Sequence, residues 1–161
     1  MANIFQYAMQ MEKDGENYYR QLAQQANNNG LKTILTMLAD EEVKHYNALE
    51  NIQSQNTQIA ESGILKDVKN VFIQIRDSGE NLNYEINQID LYKKARDIEQ
   101  KSQDFYWEKA GEVTQDFQKK LFLKLADEEK KHYVLLDNII ELISRPEQWL
   151  ENAEFFHLED Y

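Results

Sequence analysis

Leu38-Ala39-Asp40-Glu41-Glu42-Val43-Lys44-His45-Tyr46 returns 87 residues later as Leu125-Ala126-Asp127-Glu128-Glu129-Lys130-Lys131-His132-Tyr133, with Val43 the one position replaced. Carried outward, the same shift lays residues 5–52 on 92–139 without a gap, and 16 of the 48 aligned positions are identical. Among them are Ala8/Ala95, Glu12/Glu99, Tyr19/Tyr106, Leu49/Leu136, Asn51/Asn138 and Ile52/Ile139. Identity at a third of the positions with no gap exceeds what shared composition produces, so the chain carries one structural unit twice.

That unit is a helical hairpin. Phe5, Ala8, Glu12, Gly15, Tyr19, Leu22 and Ala26 advance by threes and fours, as do Leu31, Leu35, Leu38, Glu42, His45, Leu49 and Ile52. Such spacing is the inward seam of a bundle helix. The break between the two seams is Asn27-Asn28-Asn29-Gly30, residues that tolerate positive φ and end helices. The second copy runs Tyr92, Ala95, Glu99, Ser102, Tyr106 and Ala110, turns near Gly111 to Asp116, and continues through Phe122, Leu125, Glu129, His132, Leu136, Ile139 and Ile143.

Residues 53–90 join the hairpins. Gln53 to Gly63 is polar and loop-like, while Ile64, Leu65, Val68, Phe72 and Ile75 mark a short amphipathic helix before Ser78-Gly79. A connection of this length can run the height of a bundle and lets the second and third long helices lie parallel. The expected architecture is all-α: a four-helix bundle over residues 1–145 (repeat 5–52, crossover 53–90, repeat 92–139) and a short C-terminal helix or tail, 146–161. Trp149, Leu150, Phe155 and Phe156 give that tail apolar anchors for the bundle or a partner subunit.

Composition agrees. Of 161 residues only five are Gly and one is Pro, and the single proline is Pro146, so the preceding 145 residues are open to long helices and poor in the turns an all-β fold needs. The net charge of −11, from 29 acids against 18 bases, disfavours nucleic acid and anionic membrane surfaces as partners. Zero cysteines exclude disulfides, thiolate metal sites and iron–sulfur clusters. With no basic-then-apolar leader and no long apolar run, the expected location is the cytoplasm.

Chemistry enters through residues that do not belong in a seam. Glu12, Glu42, His45, Glu99, Glu129 and His132 occupy inward positions where Leu or Ala would pack. Four buried carboxylates without positive charge between them would protonate or force the fold apart. Two divalent cations balance four carboxylates. In Glu42-x-x-His45 and Glu129-x-x-His132 the i, i+3 spacing sets carboxylate and imidazole on one helix face. Oxygen-rich ligation with one nitrogen per metal and no sulfur favours iron or manganese over structural zinc. Tyr19 and Tyr106 share the seam seven residues after Glu12 and Glu99, and on spacing alone also read as core aromatics. Glu41 and Glu128 are candidate acceptors for the second N–H of the imidazoles, Glu41 for His132 and Glu128 for His45, and read equally as a solvated acidic face. Lys44 and Lys131 are expected to face solvent.

Ala8-x-x-x-Glu12-x-x-Gly15-x-x-x-Tyr19 with Leu38-Ala39-Asp40-Glu41-Glu42-x-x-His45, and Ala95-x-x-x-Glu99 with Ala126-Asp127-Glu128-Glu129-x-x-His132, resemble the rubrerythrin branch of the ferritin-like superfamily over about residues 3–143. The resemblance implies a non-haem di-iron centre bridged by Glu42 and Glu129, with Glu12 and His45 at one metal and Glu99 and His132 at the other. It also implies that Tyr19 and Tyr106 hydrogen-bond ligand carboxylates. Two departures stand out. Ser102 lies where rubrerythrins carry a further carboxylate, and the rubredoxin domain that would feed electrons is missing with the cysteines. Val43 replaces the haem-binding Met of bacterioferritin, so no haem is expected.

The function expected is reduction of hydrogen peroxide or O2 with electrons from an external donor protein, by a homodimer holding two irons or an Fe/Mn or zinc-substituted pair. Two alternatives stand beside it: ferroxidase and iron storage, and a structural bundle that metals merely pin.

Overall fold

In the computed structural model, residues 3–52, 59–79, 82 and 84–146 are described here. They form five helices: α1 (Ile4–Gln25), α2 (Asn29–Glu50), α3 (Ile64–Ser78), α4 (Ile86–Ala110) and α5 (Asp116–Ser144). The protein is all-α, a ferritin-like four-helix bundle with one additional helix. The two repeats are the hairpins α1–α2 and α4–α5; α1 meets α4 across the bundle, and α3 lies on α2 and α5. Among the described helices none is long and apolar enough to cross a membrane. The expected docking of Trp149 to Phe156 lies outside the described residues.

Local chemistry sets the helix starts. Asn3 accepts a hydrogen bond from the Gln6 amide, and the Gln6 side chain accepts from the Asn3 amide, closing a capping box on α1. Buried Asn28 caps α2 by accepting from the Leu31 amide. Gly79, at φ 70°, ends α3 in the left-handed region where a side chain would be strained.

Gly30 differs from expectation. It lies inside the first turn of α2 rather than in the break, and a Cβ there would sit 2.3 Å from Cγ1 of Ile75. Its missing side chain admits α3, a role that helix-ending propensity does not reveal. Lys131 differs too: its side chain is 13% exposed and bonded to Glu128, because the crossover covers that face of α5.

The core is split. One apolar cluster gathers Leu22, Leu35, Leu38, Val68, Phe72, Tyr92, Leu135 and Ile139 with the rest of α3's inner face. A second gathers Ala8, Leu49, Tyr106, Phe122 and Leu125. Along every long helix the residues between the clusters are polar: Glu12 on α1, Glu42 and His45 on α2, Glu99 on α4, and Glu129 and His132 on α5. The fold's apolar mass therefore brackets a single polar layer, which it seals from water on both sides.

Candidate metal centre

All six residues of that layer are at most 3% exposed. One face of each long helix supplies them, as the i, i+3 and i, i+4 geometry of the seams requires. The His45 and His132 rings, one from each hairpin, stack with centroids 5.6 Å apart and planes 9° from parallel. Nδ1 of His45 lies 2.8 Å from Glu129 Oε1 and 3.4 Å from Glu12 Oε2. Nδ1 of His132 lies 3.2 Å from Glu42 Oε1 and 3.5 Å from Glu99 Oε1. Each imidazole thus faces a carboxylate from the opposite hairpin and one from its own.

Two overlapping groups of ligand atoms result. Glu12, Glu42, His45 and Glu129 form one and Glu42, Glu99, Glu129 and His132 the other, each with its donor atoms within 4.8 Å of one another. Glu42 and Glu129 belong to both, so they stand where bridging ligands would stand, with Glu12 and His45 at one end and Glu99 and His132 at the other.

Hydrogen bonding shows what the layer lacks. Tyr19 donates its phenol proton to Glu99 Oε1, and Tyr106 donates to Glu12 Oε1, each tyrosine reaching across to the other hairpin's glutamate. Glu12 Oε2, Glu42 Oε1, His45 Nδ1, Glu99 Oε2, Glu129 Oε1 and His132 Nδ1 then remain buried without a hydrogen-bond partner, at least one atom from each of the six residues, since His132 Nε2 is unpartnered as well. The 2.8 Å approach of His45 to Glu129 is an ion-pair distance without hydrogen-bond alignment. A buried polar atom left unpaired costs about 1–3 kcal/mol, more where it is charged, and here six such atoms converge. Carboxylate oxygens and imidazole nitrogens gathered within 4.8 Å of one another are an oxygen-rich donor set with one nitrogen in each group, so the residues fit a dinuclear metal site.

Charge within the metal-free layer is redistributed by protons. Burial drives the Glu42 and Glu129 carboxyls well above their ordinary range, and the surrounding carboxylates, Glu12 foremost for Glu42 and Glu99 for Glu129, drive them further. Burial also works against Glu12, but the nearby His45 charge and the Tyr106 hydrogen bond help to overcome it and hold that carboxyl below its usual value. Glu99 is pulled down to about 2, where the neighbouring Glu129 carboxyl, His132 and the Tyr19 hydrogen bond together outweigh burial. His45 is lowered by burial and raised more by Glu12, ending above its ordinary value. Burial, then the facing Glu99 and Glu12 carboxylates, keeps Tyr19 and Tyr106 protonated well past the usual phenol range. Without a cation, burial and the crowded carboxylates thus favour protonation of Glu42, Glu129 and His45.

Gly15 adds room. A Cβ on it would lie 3.1 Å from Glu42 Oε2, so the bare backbone of α1 forms the wall against which this carboxylate rests. Ser102, its repeat mate on α4, is 8% exposed.

Glu41 and Glu128 do not form the imidazole bonds expected of them. Ser62 Oγ donates to Glu41, the Ser62 amide donates to Glu128 Oε1 at 3.3 Å, and Lys131 donates to Glu128 Oε1 at 3.2 Å, while His132 Nε2 has no partner. One residue before the bridging positions is about 100° around the helix, which turns these carboxylates toward the crossover instead of across the bundle. Ser62 was not legible as a site residue, since it sits in an irregular, polar segment with no period to mark an inward face.

Comparison with known proteins follows the same lines. A family model described as rubrerythrin matches residues 3–140. No curated protein matches. Among solved structures, a hypothetical protein from Pyrococcus furiosus is similar, with a TM-score of 0.63 at 23% identity, covering 87% of each chain; at that identity the likeness speaks for the fold.

Proposed function

The chain belongs to the rubrerythrin family, and on that premise we propose that it is a non-haem di-iron carboxylate oxidoreductase that reduces hydrogen peroxide, and O2 more slowly, with electrons from an external donor protein. The carrying observation is the pair of buried ligand groups sharing Glu42 and Glu129. Iron, or an iron–manganese pair, suits the oxygen-rich donors. A redox-active pair held there would supply both electrons for cleavage of one O–O bond, in the balance H2O2 + 2e⁻ + 2H⁺ → 2H2O.

The protein's own part is to hold geometry and exclude water. Glu42 and Glu129 would bridge, Glu12 with His45 and Glu99 with His132 would complete the two ends, and the apolar clusters on either side keep bulk water from the layer. Tyr106 and Tyr19, protonated throughout the physiological range, fix one oxygen of Glu12 and of Glu99 and leave the other free to ligate. The bare backbone at Gly15 leaves the Glu42 carboxylate space that a side chain would take.

Rapid mixing of anaerobically Fe(II)-loaded protein with one equivalent of peroxide tests the proposal. Fast stoichiometric oxidation, faster than with O2, is the expected result. Stoichiometric iron that reacts with O2 first and accumulates as mineral in a large cage supports storage instead, and a dimer by size-exclusion mass supports the oxidoreductase.

A further inference from the structure

A cavity of about 470 Å³ opens between α2, the residues preceding α3, and α5, and its wall includes His45. Five carboxylates line it, Asp40, Glu41, Glu61, Asp67 and Glu128, with Lys44; Arg20 pairs with Asp40, and Lys124 and Lys131 each reach both Glu61 and Glu128. The carboxylates are graded in depth. Side-chain exposure falls from 75% at Glu61 and 61% at Asp40, through 10% at Glu41, to 1% at Glu128, the value for His45 itself. Carboxylates at successive depths offer a divalent cation oxygen ligands along the way in, a feature that a neutral molecule such as peroxide does not need.

A second observation lies at the inner end. Ser62 ties Glu41 and Glu128 together, its hydroxyl on one and its amide on the other. Lys131 and Lys124, at 3.2 and 3.7 Å, both approach Oε1 of Glu128, and Lys44 lies 3.6 Å from Glu41. Oε2 of Glu128 is buried, without a partner, on a residue that lines the cavity. We propose that Glu41 and Glu128, seated beneath this acidic cavity beside His45, form a transit site for divalent cations on their way to the dinuclear centre. The proposal rests on the metal-centre reading above. The lysines suit transit: their charge weakens the hold of the pair, and a step on a path must release its ion as readily as it takes it.

The experiment uses Co²⁺ as probe on the full chain stripped with chelator, following visible absorption in a stopped-flow instrument at low ionic strength. Wild type is expected to bind two Co²⁺ per chain; no binding would overturn the metal-centre reading itself. The Glu41→Gln/Glu128→Gln double variant is expected to reach the same stoichiometry and spectrum but to load about 10-fold more slowly, with a weaker salt dependence. Glu50→Gln, an exposed acid elsewhere on α2, serves as control and should load normally. Ala60→Trp, a substitution at an exposed position lining the cavity, leaves the buried pair intact and should also slow loading. Unchanged rates in both the double variant and Ala60→Trp would overturn the transit site. So would a double variant that holds fewer than two ions, since the pair would then belong to the resident ligands.

Discussion

Replacing Gly15 with alanine should change sign in its effect on stability according to whether metal is bound. In the metal-free protein, alanine in a helix interior gains about 1 kcal/mol over glycine. Against this stands one contact: the new Cβ would lie 3.1 Å from Glu42 Oε2, closer than comfortable by a few tenths of an ångström. That oxygen is the far end of a flexible side chain, and turning it aside costs roughly 0.5 kcal/mol. The net is a gain of about 0.5 kcal/mol, or ~1–2 °C in Tm for a chain of this length. With metal bound, the same carboxylate is held by coordination and cannot turn aside. Disturbing a ligand's support typically lowers metal affinity by about 10- to 100-fold, which removes at least ~1.4 kcal/mol of the stabilisation that saturating metal confers. Thermal unfolding of the variant and wild type, each with chelator and with excess Co²⁺, measures both signs. A variant that is stabilised equally in both states, with wild-type cobalt affinity and spectrum, would refute the role given to Gly15 and leave it a residue of plain close packing.

Three further outcomes follow from the same geometry. Tyr106→Phe keeps the ring's packing on Phe122 but strips Glu12 of its donor; stability should fall by about 1.5–3 kcal/mol, checked by urea denaturation of the chelated protein, and a loss below 0.5 kcal/mol would contradict the bond's importance. For pH, Glu42, Glu129 and His45 hold protons in the folded metal-free protein that the unfolded chain releases near 4.5 and 6.5. Raised folded values favour the fold at low pH, so Tm of the chelated protein should decline from about pH 5 to 8 while metal affinity rises; Glu12 and Glu99, being lowered, act only below about 4.5, and a chelated protein that gains stability up to pH 8 would oppose the assignment. Phe122→Ala, in a fully buried position below the polar layer, should cost about 3–5 kcal/mol by the same denaturation assay, whereas a cost under 1 kcal/mol would mean the lower cluster does not hold the layer in place.

What the sequence makes legible is what a helix repeats. Glu12, Glu42, His45, Glu99, Glu129 and His132 were readable as one layer because each lies on a seam of period three and four, and because the shift of 87 residues writes the layer twice. Tyr19 and Tyr106 were ambiguous on spacing, and their pairing with Glu99 and Glu12 depends on how α1 and α4 cross, which no single-helix pattern contains. Glu41 and Glu128 read equally as imidazole partners across the bundle and as a solvated acidic face; their partners are lysines of α2 and α5 and Ser62, which sits in a segment whose irregular backbone has no period to read. Gly30 illustrates the same limit, since its reason for lacking a side chain is Ile75 on a helix 45 residues further along.

The central claim is that six side chains hold two metal ions per chain. Loading the chelated protein anaerobically with Fe(II), desalting it and measuring iron against protein tests this directly. The account predicts two irons per chain in the wild type, and loss of both when Glu42 and Glu129 are replaced together by glutamine in a variant that remains folded. Retention of fewer than two irons by the wild type, or two irons undiminished in the double variant, would contradict it.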